Sequence, residues 1–361
     1  MLGLLRSAAA SLGINHRRSF KDNDDAQRED LDIQTTTRRD TLFCNMAPWE
    51  DFDATFSFKR DFAYDPKTFA QISSNRRALE NTLFVDRLLK VLGIDAAARV
   101  YPPKSNQALR NLFAQIVSST SPNHHKQALI YYILRDCRST GDGDASLQFA
   151  RRCYLPEKYR LIIEGLWYLD SLEFRRALEY LTEPSLIPTF PDEILYVLST
   201  LPKQDDTLAT AYYLTVSPPL AFQPKALNAY FAVLCRTRIT ESFYFTRKQN
   251  DALHRELLEQ LIVFVHMSKV GEARANRAMD LINLPFNEEE EKWFEECLLQ
   301  GKAKHLQGAK DTVMMRRVAT GQLENLSDLE ALGGRKIEGL NWDDLKKNLR
   351  PTSSLGTLGG R

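Results

Sequence analysis

The side chains best suited to catalysis are the six histidines, namely His16, His124, His125, His254, His266 and His305. A catalytic histidine acts on a nucleophile or a substrate proton within hydrogen-bond reach. His266 stands in the apolar run LIVFVHM, where a histidine is more often a core group with a satisfied hydrogen bond. No GxSxG elbow or papain-like cysteine context accompanies any of the six. The sequence predicts a protein that is not an enzyme, and an enzyme centred on His266 is the alternative from a different class.

The adjacent pair His124 and His125 does not have the spacing of a metal site. Neighbouring residues point about 100° apart on a helix, and zinc sites need several His or Cys residues at ligand spacing. Both residues follow Ser121 and Pro122, in the first turn of a predicted helix. We therefore expect this pair to be solvated.

Cysteines and glycines likewise give no cofactor motif. The five cysteines are scattered without a CxxC pair, which favours a reducing compartment and small buried thiols: Cys44, Cys137, Cys153, Cys235 and Cys297. Neither a GxxxxGK[ST] loop nor a GxGxxG fingerprint is present. The GDG at 141–143 and the GG at 333–334 are interpreted as turn and linker glycines. No cofactor and no metal is predicted.

Charged clusters are interpreted as helix surfaces. Asn287 followed by Glu288 to Glu291 is typical of a capped, solvated helix start, where the helix dipole favours negative charge. Four arginine pairs have acids nearby and are predicted to be solvated helix faces: Arg76 with Arg77, Arg151 with Arg152, Arg175 with Arg176, and Arg316 with Arg317. If they line up, they would form a weak phosphate-binding surface. The net charge of +1 favours protein partners over nucleic acid or anionic membrane.

The elements that position these residues are predicted to be short helices. Beyond Pro66 the apolar residues recur every three to four positions, as on a helix face, and prolines or glycines end each stripe. Asp170 with Glu173 fits a capping box for the next helix, Phe174 to Leu181. In the helix before it, Gly165 would allow a neighbouring helix to approach closely. Trp167 would supply a large buried surface.

These patterns predict an all-α fold, an irregular α-solenoid of stacked short helical hairpins. Strand signals are sparse, and no fixed repeat period is visible. The apolar runs are too short for the roughly 20 residues of a membrane-spanning helix. We therefore predict no membrane span.

Three segments are predicted along the chain. Residues 1–50 form a disordered leader, 51–319 a helical domain, and 320–361 a flexible tail. The first twenty residues contain Arg and Ser and no acid, as mitochondrial transit peptides do. An unstructured leader, with Met46 near a truer start, is the other interpretation. Six aromatic residues then predict a clasp on the first helices: Trp49, Phe52, Phe56, Phe58, Phe62 and Tyr64.

The tail is predicted to contain one short amphipathic helix. Trp342, Leu345 and Leu349 fall at i, i+3 and i+7, on one apolar face. Such a face on a tether either docks on a partner or folds back as a cap on the helical array. Both interpretations remain open at this point.

An ordered series of segments resembles the helical domain of the ELYS-like nuclear pore assembly family. GLWYLDSLEFRRALEYLTEPSLIPTFPDEILYVL, Gly165 to Leu198, has the family's GLW-LD turn and its Pro-acid helix start. The other segments occur in order: YPPKSNQALRNLF, HKQALIYYILRD, SPPLAF, ESFYFTR and LINLPFNEEEEKWFEECL. The likeness covers roughly 51–319.

The resemblance implies a structural component of the Y-shaped outer-ring scaffold of the nuclear pore complex, on the nuclear side. Its implied partners are the large propeller-and-solenoid nucleoporin of the Y-complex arm and its small β-propeller companion. The chain is too short for the N-terminal β-propeller of animal members, and it has no RGRP core of an AT-hook. It therefore resembles the short fungal form of the family, and direct DNA binding is not expected. The alternative is a helical-repeat adaptor of another assembly, including a mitochondrial one.

Overall fold

A computed structural model describes residues 47–56, 64–137, 145–202, 205–220 and 223–322. The regular elements within these ranges are α-helices, which confirms the predicted all-α class. In chain order they are α1 Phe52–Thr55, α2 Pro66–Ala78, α3 Phe84–Val91, α4 Ala97–Val100, α5 Asn106–Ser118, α6 Asn123–Asp136, α7 Ala145–Arg152, α8 Glu157–Asp170, α9 Phe174–Leu181, α10 Pro191–Thr200, α11 Thr207–Val216, α12 Pro224–Thr237, α13 Ile239–Thr246, α14 Asp251–Met267, α15 Glu272–Ile282, α16 Glu288–Leu299 and α17 Ala309–Ala319.

Side-chain caps and prolines start many of these helices. Asp65 accepts a hydrogen bond from the Thr68 amide and precedes Pro66, the first residue of α2. Asn250 caps α14 in the same way, through the Leu253 amide. Such caps satisfy amides that have no partner within the helix. Because a capping residue or a proline begins a new helix at these positions, the apolar segments form separate short helices rather than long ones.

Each helix packs mainly on near neighbours in the sequence. The closest pairs include α8 with α9, α10 with α12, α6 with α8, and α14 with α16. One helix departs from this pattern, because α8 also contacts α2 and α3. Buried apolar side chains form a continuous core from Trp49 to Val313. This stacking of neighbours is consistent with the predicted helical solenoid.

The predicted aromatic clasp is present. Trp49 and Phe56 are buried, and the ring centroids of Phe52 and Phe56 lie 5.5 and 5.8 Å from that of Phe113 on α5, in edge-on contact. Tyr64 is 1% exposed. The segment 57–63 with its two phenylalanines, the leader up to residue 46, and the tail from residue 323 lie outside the described residues. None of the described helices is both long enough and apolar enough to span a membrane.

The predicted N-terminal cap at Asn287 is confirmed, but the acidic run after it is not wholly exposed to solvent as expected. The Asn287 side chain accepts hydrogen bonds from the Glu289 and Glu290 amides, and the Glu290 carboxylate accepts one from the Asn287 amide. Glu290 is nevertheless 0% exposed and is paired with Arg247, whose Nη2 lies 2.6 Å from Oε2. Because the third glutamate of the run faces inward, it joins α16 to the end of α13.

Candidate functional site

Several buried polar side chains lie between α6 and α8, and Gly165 sets how closely α9 packs on α8. A Cβ atom at this position would lie 2.5 Å from Cγ of Leu181 on α9. Real Cβ atoms do not approach so closely, so a side chain would push the two helices apart. The close helix approach expected at Gly165 is therefore present, and its neighbour is α9.

Trp167 contributes a polar contact as well as apolar surface. The residue is partly buried and packs against the hydrophobic core. The indole Nε1–H donates a hydrogen bond of 2.7 Å to Oδ1 of Asp136, at the end of α6. The guanidinium carbon of Arg135 lies 4.7 Å from the centre of the ring, within cation–π range. Trp167 thus holds α8 to the last turn of α6.

Asp170 caps a different helix from the one predicted. Its carboxylate accepts hydrogen bonds from the backbone amides of Phe84 (2.7 Å) and Val85 (3.0 Å), the first two residues of α3. The Tyr132 hydroxyl donates to the same carboxylate at 2.8 Å. The predicted capping box with Glu173 is wrong, because α9 begins without a side-chain cap. Asp170 is the last residue of α8, so its side chain projects across the core.

The start of α3 explains why it needs this distant cap. Its own N-cap residue is Leu83, which has no side-chain oxygen to accept a hydrogen bond. The carboxylate therefore arrives from a residue 86 positions away in the sequence. A negative charge at a helix N-terminus is also favourable to the helix dipole.

Asp136 is the centre of a second cluster of donors. Oδ2 accepts hydrogen bonds from the Tyr64 hydroxyl at 2.8 Å and the Tyr101 hydroxyl at 2.6 Å, and Oδ1 accepts from Trp167. Burial raises the pKa of Asp136 to about 6, while these donors act in the opposite direction. Burial likewise raises the pKa of Asp170 to about 7. Each of the two carboxyl groups accepts hydrogen bonds from three donors on other segments of the chain, and these bonds hold the helices in place.

An ion pair completes the network one turn away. Arg135 Nη2 and Nε lie 2.7 and 3.0 Å from Oε2 of Glu164, and the two side chains are 4% and 6% exposed. The Tyr131 hydroxyl donates to the other oxygen of Glu164. A buried arginine–carboxylate pair needs such additional hydrogen bonds to offset the loss of hydration. The pair joins the last turn of α6 to the middle of α8.

Together these contacts fix the register of two helices that run side by side in the same direction. His124 faces Tyr159, Tyr131 and Arg135 face Glu164, and Asp136 faces Trp167, so residue numbers rise together along both helices. The donors and acceptors satisfy one another, and no nucleophile stands beside a free base among them. The network acts as a structural clamp, which we call the α6–α8 clamp: Tyr64, Tyr101, Tyr131, Tyr132, Arg135, Asp136, Glu164, Trp167 and Asp170.

Sequence reasoning singled out three members of the clamp, Tyr64, Trp167 and Asp170, and missed the others. Trp167 and Asp170 were singled out from the GLWYLD segment. A usable signal for Arg135, Asp136 and Glu164 was their charge inside the apolar runs LIYYILRD and LIIEGLWYLD, since charged residues are rarely buried unless paired. The partners of these charges were not readable, because they lie tens of residues away.

The remaining candidate residues have structural surroundings. His266 is 4% exposed, with Nδ1 2.8 Å from the Ile262 carbonyl oxygen and Nε2 3.0 Å from Oγ1 of Thr312, which confirms a satisfied core histidine. His124 and His125 are half-buried against Tyr159 rather than solvated, with ring centroids 4.5 and 5.7 Å away. Within the described ranges, no group of three or more His, Cys, Asp or Glu residues is placed to hold a metal ion.

The arginine pairs and thiols also differ in their environments. Arg316 is 6% exposed and donates to the Leu284 carbonyl and to Glu291, which corrects its assignment to a solvated face. Arg175 and Arg176 pair on the surface with Asp205 and Glu173. Three thiols are buried as predicted: Cys137, Cys235 and Cys297. The predicted partner-binding residues Trp342, Leu345 and Leu349 lie outside the described residues.

The raised pKa of Asp136 predicts a specific pH dependence of stability. The folded-state pKa of about 6 exceeds the ordinary value of 3.8, so the carboxyl contributes stability that is lost as pH rises from about 4 through 6. Between about pH 5 and pH 8, the advantage of the wild type over Asp136→Asn should shrink by about 1.4 kcal/mol. Urea unfolding at both pH values measures this difference.

The comparison with Asp136→Asn isolates one carboxyl, because all other titrating groups are common to both proteins. The exposed Asp53→Asn variant serves as the control and should follow the wild type at every pH. Parallel stability curves for wild type and Asp136→Asn would contradict the raised pKa.

Comparison with known proteins gives two matches. Residues 82–301 match the family model described as ELYS, nuclear pore complex assembly, which is more than half of the chain. The chain is also similar to the protein named Uncharacterized protein ely5 of Schizosaccharomyces pombe, with 29% identity over 245 residues. That alignment covers 67% of this chain and 77% of the yeast protein. The family match runs from just before α3 into the turn after α16, and it contains every clamp residue except Tyr64.

Proposed function

We propose, since this chain belongs to the ELYS family of nuclear pore complex assembly proteins, that it is a structural component of the Y-shaped outer-ring scaffold of the pore. The coarse role, nuclear pore complex assembly, comes with the family. The finer role is acting on the nuclear side of the pore by protein–protein contact. The family is an assembly domain and not an enzyme family.

The observation that best supports a scaffold role is the α6–α8 clamp itself. Its ionisable groups are used to hold α3, α6 and α8 together, with Tyr64 and Tyr101 bonded to the end of α6. A scaffold works by presenting a fixed shape, and satisfied buried polar networks specify one arrangement of the elements they join. The clamp lies almost wholly within the family match.

The proposed partners are the large propeller-and-solenoid nucleoporin of the Y-complex arm and its small β-propeller companion. The proposed contact from the tail is the apolar face of Trp342, Leu345 and Leu349. Two leucines and a tryptophan at helical spacing suit a hydrophobic groove on another protein. The charge balance of the whole chain gives no general attraction to DNA.

Co-purification of the tagged full-length chain, with mass spectrometry and imaging, tests these proposals. We expect nucleoporins of the Y-complex to co-purify and the tag to mark the nuclear rim. Trp342→Ala with Leu345→Ala should reduce their recovery without changing the melting temperature, whereas Leu355→Ala with Leu358→Ala, farther along the tail, should not.

Two results would count against the proposals. Mitochondrial signal, which the composition of the first twenty residues makes a specific alternative, would assign the chain to another assembly. Unchanged recovery of nucleoporins together with a lowered melting temperature would show that the tail helix caps its own chain.

A further inference from the structure

Three helix ends meet at one end of the α6–α8 clamp, and they bring together basic and aromatic side chains. The starts of α6 and α8 lie side by side, because His124 contacts Tyr159. The end of α7 leads into α8 through only four residues, 153–156. We call this surface the basic end and define it as Arg151, Arg152, Tyr154, Lys158 and Tyr159, with His124 and His125 beside them.

The cations of the basic end lack acidic partners. Arg151, Arg152 and Lys158 are exposed, and none of them forms an ion pair with any residue that the structure describes. In each of the other three arginine pairs at least one member is paired with a carboxylate, namely Arg76, Arg175 with Arg176, and Arg316 with Arg317.

Two acids close to these cations in the sequence or structure are already engaged. Glu157 pairs with Arg160 at 3.1 Å, and Asp53 pairs with Arg110. Asp53 lies on α1, where the Ala54 carbonyl oxygen accepts a hydrogen bond from Arg152 at 3.2 Å. The three exposed cations are therefore left to attract an anionic partner.

Tyr154 has no structural reason to be an aromatic residue. Its side chain is 90% exposed, so the ring contributes almost nothing to the core. Its backbone has φ of 52°, the left-handed region, and the Leu155 amide donates back to the Ala150 carbonyl oxygen at 2.9 Å. This is the Schellman ending of a helix, where glycine or asparagine is the favoured residue. An exposed tyrosine is, in contrast, a common anchor at protein interfaces.

The backbone adds to the positive character of this end. Helices α6 and α8 both begin after a proline N-cap without a side-chain cap, so their first amides remain available. Parallel helices place the positive ends of their dipoles together. The α6–α8 clamp holds these two ends in fixed positions.

We propose that the basic end is a docking surface for an acidic segment of a partner protein. Carboxylates of the segment would pair with Arg151, Arg152 and Lys158, and one of its apolar side chains would pack on the ring of Tyr154. This inference rests on the proposed scaffold function and names the chemistry of one partner contact. Nucleic acid is the less favoured ligand, because the basic end has only three exposed cations and the whole chain carries a net charge of +1.

Fluorescence anisotropy of the full-length chain with a labelled peptide of repeated Glu-Leu-Asp triplets tests the proposal. We expect saturable binding that is at least about tenfold weaker for Arg151→Glu with Arg152→Glu. Tyr154→Asn suits the left-handed backbone, so it should fold normally and bind about fivefold more weakly. The matched control, Arg175→Glu with Arg176→Glu, has the same charge change elsewhere and should bind within about twofold of the wild type.

Several results would overturn the proposal. Equal binding of a Gln-Leu-Asn peptide would remove the role of charge, and equal weakening by the control pair would show non-specific attraction. The surface would be assigned to nucleic acid if a duplex DNA oligonucleotide displaced the peptide and if Arg151→Glu with Arg152→Glu abolished the binding of that DNA. A chain at the nuclear rim without peptide binding would overturn this inference alone, whereas peptide binding by a chain absent from the rim would overturn the scaffold function alone.

Discussion

Asp170→Ala is expected to lower the free energy of unfolding by at least about 3 kcal/mol. The substitution leaves three buried donors without an acceptor, namely the amides of Phe84 and Val85 and the hydroxyl of Tyr132. Each buried donor left unpaired costs about 1–3 kcal/mol. Because these donors lie on α3 and α6, the loss should appear as unfolding of the whole unit rather than fraying of one helix. Urea unfolding followed by circular dichroism measures it.

Glu173→Ala is the matched control for this prediction. Glu173 is the N-cap residue of α9, but its side chain makes no capping hydrogen bond and only an exposed pair with Arg176. Its loss should cost less than about 1 kcal/mol. If Glu173→Ala were as damaging as Asp170→Ala, the local capping box would be the true arrangement.

Arg135→Met is expected to cost roughly 3–5 kcal/mol, because it leaves the Glu164 carboxylate buried and unpaired. Adding Glu164→Gln removes that charge while keeping an acceptor for the Tyr131 hydroxyl. The double variant should therefore regain about 2 kcal/mol relative to Arg135→Met alone. A double-mutant cycle on urea unfolding gives the coupling energy directly.

A surface pair offers the control for this cycle. Arg238 and Glu241 are three residues apart at the start of α13, and their side chains are 65% and 47% exposed. The cycle of Arg238→Met and Glu241→Gln should give a coupling energy below about 1 kcal/mol. Similar coupling energies in the two cycles would contradict a special contribution from burial.

Local features of this fold were predictable from the sequence, whereas contacts between distant residues were not. The apolar period of three to four gave the helices, and the cap at Asn287 was predicted because its signal lies within four residues. His266 was assigned to the core from its apolar neighbours alone. Each of these predictions depends on residues that are adjacent along the chain.

The contacts of the clamp could not be predicted from the sequence, because they join residues that are far apart along the chain. Asp170 was assigned to the nearest helix start, yet the amides that it binds are 86 and 85 positions away. Asp136 is separated from Tyr64 by 72 positions. Glu290 and Arg316 were assigned to solvent because charge is usually exposed, and only the fold brings Arg247 and Glu291 to them. Pairing across such separations depends on how helices stack.

The register of α6 and α8 also bears on how the protein responds to mechanical force. Apolar helix faces can slide past each other with a gradual change in contact, but hydrogen-bonded pairs cannot. A slip of one helical turn, 5.4 Å, would separate Trp167 from Asp136 and Arg135 from Glu164 together. Under tension, the helices joined by the clamp should therefore move as one stiff block, because the two pairs would have to break together.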